Sequence, residues 1–245
     1  MPAATKTEEL KDILQKGLVA DILTMETAYQ LHKEIGVNAD TLNSWENGNF
    51  GELFGTIQNA LVSEAILAAA RIFDKPNARY PTRCIRRALE LIEQGINDLP
   101  EIVESHNTKL NLLESGADLE VIESVDKGKS VFIPLYVASV RRMLDSDEVV
   151  EKVEKLKHVR DKRIAHNEAA SVVGPTWEAL LDLVGQVQSF VGVVGWAFFS
   201  IVYVTDNSYF LSEDAQRPAR ALKRLAKSLS KTGNQELSAT LVQCK

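Results

Sequence analysis

An arginine and a histidine, two residue types useful for cutting RNA, stand six positions apart in the stretch Lys157-His158-Val159-Arg160-Asp161-Lys162-Arg163-Ile164-Ala165-His166-Asn167-Glu168. The stretch reads as the C-terminal end of a long helix, just before the pattern gives way to Ala-Ala-Ser-Val-Val-Gly-Pro. On a straight helix at about 100 degrees per residue, Val149, Val153, Leu156, Arg160 and Ile164 share one stripe, so Arg160 is expected to point inward. A guanidinium taken out of water needs an anionic partner or ligand, because unpaired burial costs several kcal/mol. His166 falls about 120 degrees round from Arg160, and Arg163 about 60 degrees from His166. One helix therefore does not aim Arg160 and His166 at a single atom. Either the helix end loosens, or a second copy of the chain approaches across a twofold axis with its own arginine and histidine.

The elements that must hold this stretch are helical. Apolar residues recur at three- and four-residue steps over residues 8–35, closed by Gly36 as a left-handed cap, and again over 52–73, broken by Asp74-Lys75-Pro76-Asn77. Residues 82–94 predict a third helix with Arg83, Arg86 and Arg87 on its early turns. One or two short helices are expected over 99–125 with a break near Ser115-Gly116, then a helix over 131–144 with Pro134 in its first turn. Asp145-Ser146-Asp147 supplies N-cap candidates for the key helix from about Glu148. The turn-rich 37–51 reads as a loop that Trp45 pins to the body. Residues 175–204 predict a long apolar helix, followed by the loop Thr-Asp-Asn-Ser. Residues 212–230 predict a basic amphipathic helix with Leu222, Leu225, Ala226 and Leu229 inside, and the last dozen residues are expected to fray. The class is all-α, a helical bundle over residues 1–210 with a basic C-terminal helix and tail over 211–245.

Composition narrows the function. With 245 residues, 45% hydrophobic and 25% charged, the chain can bury a substantial core. A net charge of -6 argues against coating nucleic acid non-specifically, so any RNA contact must be local. Cys84 and Cys244 have no Cys or His neighbours at ligand spacing, which supports neither a zinc site nor a disulfide framework and fits a reducing cytoplasm. The N-terminus lacks the apolar core of a secretory signal. The apolar run 190–204 falls short of the about 20 residues a membrane span needs, so a buried central helix is expected and no membrane partner. No Gly-rich phosphate loop, metal-binding run or Ser-His-Asp ordering appears, and no cofactor or metal is expected.

Arg160-x(5)-His166 resembles the R-x(4–6)-H signature of HEPN-domain proteins, with a polar residue, Asp161, after the arginine as is usual there. The wording Arg-Asp-Lys-Arg-Ile-Ala-His-Asn-Glu, together with Ala-Arg-Ile-Phe-Asp-Lys-Pro at 70–76, is similar to the abortive-infection, AbiU-like branch. The resemblance implies a HEPN-like up-and-down helical bundle. It also implies a homodimer with two motifs facing one cleft, and metal-independent cutting of RNA in phage defence or a toxin-antitoxin system. It gives Arg160 the scissile phosphate and its developing charge, and His166 the role of general acid or base. Asp161 orients one of these side chains, and Lys162 and Arg163 add backbone contacts beside the site. The reaction is attack of a ribose 2′-hydroxyl on the adjacent phosphorus, which spares DNA. Asn167 stands where related sequences often carry a carboxylate, which leaves the tuning of His166 open.

Plainer readings stand beside these. Arg160 and His166 can belong to an ion-pair network joining helices, and the same cleft can hold RNA, a nucleotide or a partner protein without catalysis. Arg83, Arg86 and Arg87 read as a solvated face before a binding site. The C-terminal helix suits binding of RNA, an acidic partner or a membrane surface, or equally simple packing, and the lack of large aromatics on its apolar side weakens the membrane reading. His32, His106 and His158 have no companions at catalytic spacing. An antitoxin protein, often a nucleotidyltransferase in the wider family, can mask activity.

Overall fold

In the computed structural model, which describes residues 5–44, 48–77, 79, 81–165, 173–206 and 208–243 (backbone alone at 163, 165 and 231–243), the chain is all-α apart from one minimal hairpin. Helix α1 (Lys6–Ile13) starts at a capping box in which Thr5 and Glu8 satisfy each other's backbone amides. It runs through a π-helical turn, Leu14–Leu18, into α2 (Val19–Val37), so the expected first helix is one rod with a bulge. Gly36 lies inside α2 rather than capping it. The end is closed instead by Asn38, whose backbone and side-chain nitrogens both donate to the Glu34 carbonyl. A short α3 (Ala39–Asn43) occupies part of the expected loop, and Trp45 lies outside the described residues.

Helices α4 (Gly51–Ile72), α5 (Ile85–Gln94), α6 (Ser105–Glu114), α7 (Leu119–Ser124), α8 (Lys129–Leu144) and α9 (Asp147–Val159) follow. The break between α6 and α7 sits at Gly116, whose positive φ of 73° glycine accepts without strain. Pro134 lies inside α8, past its first turn. Helix α10 (Trp177–Val194) continues through a π turn, Gly195–Phe199, and stops at Ser200, which takes the left-handed conformation. The chain then folds back so closely that a Cβ on Gly195 would sit 2.6 Å from the Ile201 carbonyl oxygen. The expected helix therefore ends at Phe199. Strands β1 (Val204–Thr205) and β2 (Ser208–Tyr209) pair antiparallel around the expected Thr-Asp-Asn-Ser loop. After α11 (Ser212–Ala215) comes α12 (Arg217–Gln243), which keeps helical backbone into the segment expected to fray.

The chain divides into two compact units, one of Met1–Leu23 and Ile66–Ser212, the other of Thr24–Ala65 and Glu213–Lys245. In the first, α10 is the core helix: Leu183, Val187, Phe190, Val191, Val194 and Ala197 are buried, and Tyr136 of α8 stacks between Phe132 and Phe190. Trp177–Phe199 and Gly51–Ile72 are each long and apolar enough to cross a membrane, but the former spends its apolar face on this core. In the second, Ile35, Leu42 and Leu222 pack with Phe54, Ile57 and Leu61. Leu222 and Ala226 of α12 are buried as expected, whereas Leu225 is 48% exposed and belongs to the solvent face.

The arginines at the start of α5 are ties rather than a free basic face. Arg83 meets Asp12, Arg87 meets Glu9 and Glu90, and Arg86 meets Asp145, all within 3.1 Å. Gly17 makes this possible in the N-terminal π turn, because a Cβ there would lie 2.4 Å from that of Arg83. We expect Gly17→Ala to lower the melting temperature by several degrees while Gly55→Ala, where a Cβ meets open space, does not; equal melting points would remove this packing argument.

Candidate functional site

The motif is positioned by α9, which starts where a hydroxyl can cap it: the Ser146 side chain accepts a hydrogen bond from the Val149 amide at 3.4 Å. Val149, Leu156 and Val159 are buried, Val153 and Ile164 partly so, and Arg160 follows on that side with a quarter of its side chain exposed. At Arg160 the hydrogen bonding changes register, and Arg160–Ala165 is a π-helical turn. The helix end is therefore loosened at the motif itself, which the sequence periodicity did not reveal.

Arg160 has the anionic partner that its burial demands. Its Nη1 donates to Asp74 Oδ1 at 2.8 Å and its Nε to Asp161 Oδ1 at 2.7 Å. Both carboxylates hold the guanidinium in its charged form above the ordinary arginine range, Asp161 most strongly, against the opposing effect of burial. Asp74 stands just past α4, 86 positions earlier, in the same Ala-Arg-Ile-Phe-Asp-Lys-Pro wording noted in the sequence. The two resembling stretches thus meet in space. Asp161, read as an orienting residue, does touch Arg160. Lys162 is half-buried, the Arg163 side chain is not described, and His166 and Asn167 lie outside the described residues.

Sequence reading missed Lys157. One helical turn before Arg160, its ammonium donates to the Phe73 carbonyl at 2.9 Å, so Lys157 and Arg160 together grip the chain leaving α4. Burial pushes the Lys157 pKa below the ordinary lysine value of 10.5; Asp74 partly opposes this, while Arg160, Lys75 and Arg86 add to it. Because the folded-state value is depressed, the protonated lysine costs folding stability at pH below it, and the cost is relieved as pH rises through that value toward 10.5. The difference in unfolding free energy between the native chain and Lys157→Met should accordingly shift in favour of the native chain as pH rises toward 10.5; a flat difference would contradict the burial effect. A signal was present: Lys157 lies three positions before Arg160, on the same helix face.

These groups border a cavity of about 420 Å³ lined by Asp74, Lys75, Asn77, Thr82, Lys157 and Arg160. A larger one, about 520 Å³, lies between α6, α8 and α10 and includes Tyr136, Gln186 and Phe190. Its charged lining is Glu114 and Asp182 with no Lys or Arg beside them, so the motif cavity, lined by Lys75, Lys157 and Arg160, is the better site for a phosphate. Among the described residues no cluster of His, Cys, Asp and Glu is placed to hold a metal ion. Cys84 is a buried free thiol. His158 and His106 are exposed, and His32 is partly buried, with its pKa lowered by that burial.

No curated protein and no solved structure shows significant similarity to the chain. A family model does: the HEPN model described as AbiU2 matches residues 8–222. That span includes the key helix, its π turn and the Asp74 segment, and on it the chain belongs to the AbiU2 family of HEPN-domain proteins.

Proposed function

We propose that the protein is a metal-independent endoribonuclease acting in phage defence or a toxin-antitoxin system, and that it works as a homodimer. The observation that carries this reading is the state of Arg160. Two of its nitrogens are anchored by Asp74 and Asp161, which leaves Nη2 with no acceptor among the described residues, on a side chain that lines a cationic cavity. A guanidinium fixed in this way meets a phosphate oxygen without first reorganising, and electrostatic help of that kind is worth most as charge develops in the transition state.

The 2′-oxygen attacks the adjacent phosphorus, and the bond from phosphorus to the 5′-oxygen breaks. A base takes the 2′-hydroxyl proton and an acid gives one to the leaving 5′-oxygen, yielding a 2′,3′-cyclic phosphate and a 5′-hydroxyl. His166 takes one of these proton transfers and Arg160 holds the non-bridging oxygens. Lys162 and Arg163 touch the flanking backbone. A second copy of the chain supplies the partner motif, and an antitoxin, of nucleotidyltransferase type in the wider family, is the candidate restraint.

The test is cleavage of a mixed RNA pool by the native chain and by His166→Ala, with a chelator present, alongside solution mass at low micromolar concentration. The reading requires dimeric protein, chelator-resistant cutting and its loss in the variant. Inert native protein, shown free of any co-purifying partner, would sink it. Asp74 can be separated from the chemistry: as a positioning residue, Asp74→Asn should lower kcat about tenfold while KM stays level or falls, because the cavity loses a negative charge as the guanidinium loses an anchor. An unchanged kcat would remove Asp74 from the site.

One observation favours a binding module without catalysis. The pair of Arg160 with Asp74 is also what a tie between the chain leaving α4 and the end of α9 needs. RNA retained by the native chain, lost in Arg160→Ala, and never cut would establish that alternative.

A further inference from the structure

The cavity beside Arg160 has a neighbour. Lys75 and Lys157 also wall a second cavity, of about 300 Å³, whose lining is apolar along Phe73, Leu144, Val150 and Val153. We propose that the two neighbouring cavities together bind one nucleotide of the RNA substrate, with a backbone phosphate held by Lys75, Lys157 and Arg160 and the base in the apolar slot against Val150 and Val153. This rests on the nuclease reading for its substrate class, but the nucleotide site can be measured without cleavage.

The charge arrangement supplies the first argument. The chain is acidic overall, and the arginines of α5 nearby are each paired with a carboxylate. Lys75 and Lys157 are different: among the described residues neither has a carboxylate within ion-pair distance. An ammonium carries three N–H donors, and Lys157 spends one on the Phe73 carbonyl, so two remain for an incoming oxygen. The phosphate cavity sets three cations against one carboxylate, Asp74, which is already engaged by Arg160. A site so built is completed by an anion.

The apolar slot supplies the second argument. Val150 is 37% exposed on an otherwise charged face of α9, and Val153 beside it is partly buried, so both offer apolar surface that α9's own packing does not use. A flat base covers that surface from water, which is favourable in proportion to the area removed. Arg86 and Glu154 stand at the rim, where a donor and an acceptor meet the base edge. Because Lys75 and Lys157 line both cavities, the two are neighbours, and a ligand with an apolar plate joined to a phosphate is the kind that reaches from one to the other past these side chains.

The experiment compares adenosine 5′-monophosphate, uridine 5′-monophosphate, ribose 5-phosphate and adenosine by calorimetric titration against the full chain. At least one nucleotide should bind about tenfold or more tighter than ribose 5-phosphate, and adenosine least of all. Val150→Phe fills the slot and should bring the nucleotides down to the level of ribose 5-phosphate. Lys75→Gln, at an exposed position that carries no core packing, should weaken every phosphate ligand about tenfold, with Lys157→Met as its companion. Equal binding of ribose 5-phosphate and both nucleotides, indifference to Val150→Phe, or no binding of any compound at millimolar concentration would overturn the proposal. The two readings also fail separately. Nucleotide binding that survives in His166→Ala while the native chain cuts no RNA would sink the nuclease alone. RNA cutting with unchanged KM in Lys75→Gln and Val150→Phe would sink the nucleotide site alone.

Discussion

On the proposed function, Arg160→Ala is expected to lower RNA cleavage by about a hundred- to a thousandfold, the cost of removing one preorganised charge-stabilising donor from a phosphoryl-transfer site. Arg160→Lys recovers little of it. A lysine ammonium is a point charge on a flexible stem, and it does not span Asp74, Asp161 and a phosphate oxygen as the planar guanidinium does with Nη1, Nε and Nη2. The fold survives either change, because the ion pairs are partly solvated: Asp74 is 30% and Asp161 52% exposed, which limits the stability at stake to about 1 kcal/mol. The measurement is the initial rate on a labelled RNA, with melting temperature as the control. A full rate in Arg160→Ala at unchanged stability would show that the guanidinium takes no part in the cleavage and would take away the observation that carries the nuclease reading.

Phe132→Ala is expected to bring unfolding markedly closer to physiological temperature. The ring is fully buried, stacks on Tyr136 with centroids 5.1 Å apart and lies 6.4 Å from Phe198 in the α10 extension. Removing it takes away both ring contacts and leaves a cavity that surrounding helices relax into only partly, for a loss of about 3–5 kcal/mol. That is a large share of the roughly 5–15 kcal/mol by which a domain is stable. Phe132→Leu keeps most of the volume and should cost about 1–2 kcal/mol. Chemical denaturation of both variants gives the comparison, and a loss below 1 kcal/mol in Phe132→Ala would mean that α8 and α10 are not held together by this aromatic stack.

The sequence by itself determined the helical class, because apolar residues spaced at three and four positions specify helices whatever surrounds them. It also placed the key helix within one residue of its start, since Ser146 is a capping residue by its own chemistry. The motif and the family were legible too, being local wording. Tertiary structure alone decided who partners whom. That Arg160 would need an anion followed from desolvation, but that the anion is Asp74 did not, because 86 intervening residues fold between them. The expected Gly36 cap failed because Asn38 closes the helix with its own side chain, and Leu225 faces water because the pattern names several apolar candidates while packing selects among them. The π turn at Arg160 was likewise invisible in one dimension, and so was the place of Lys75 and Lys157 in two neighbouring cavities, which depends on where α4 ends against α9.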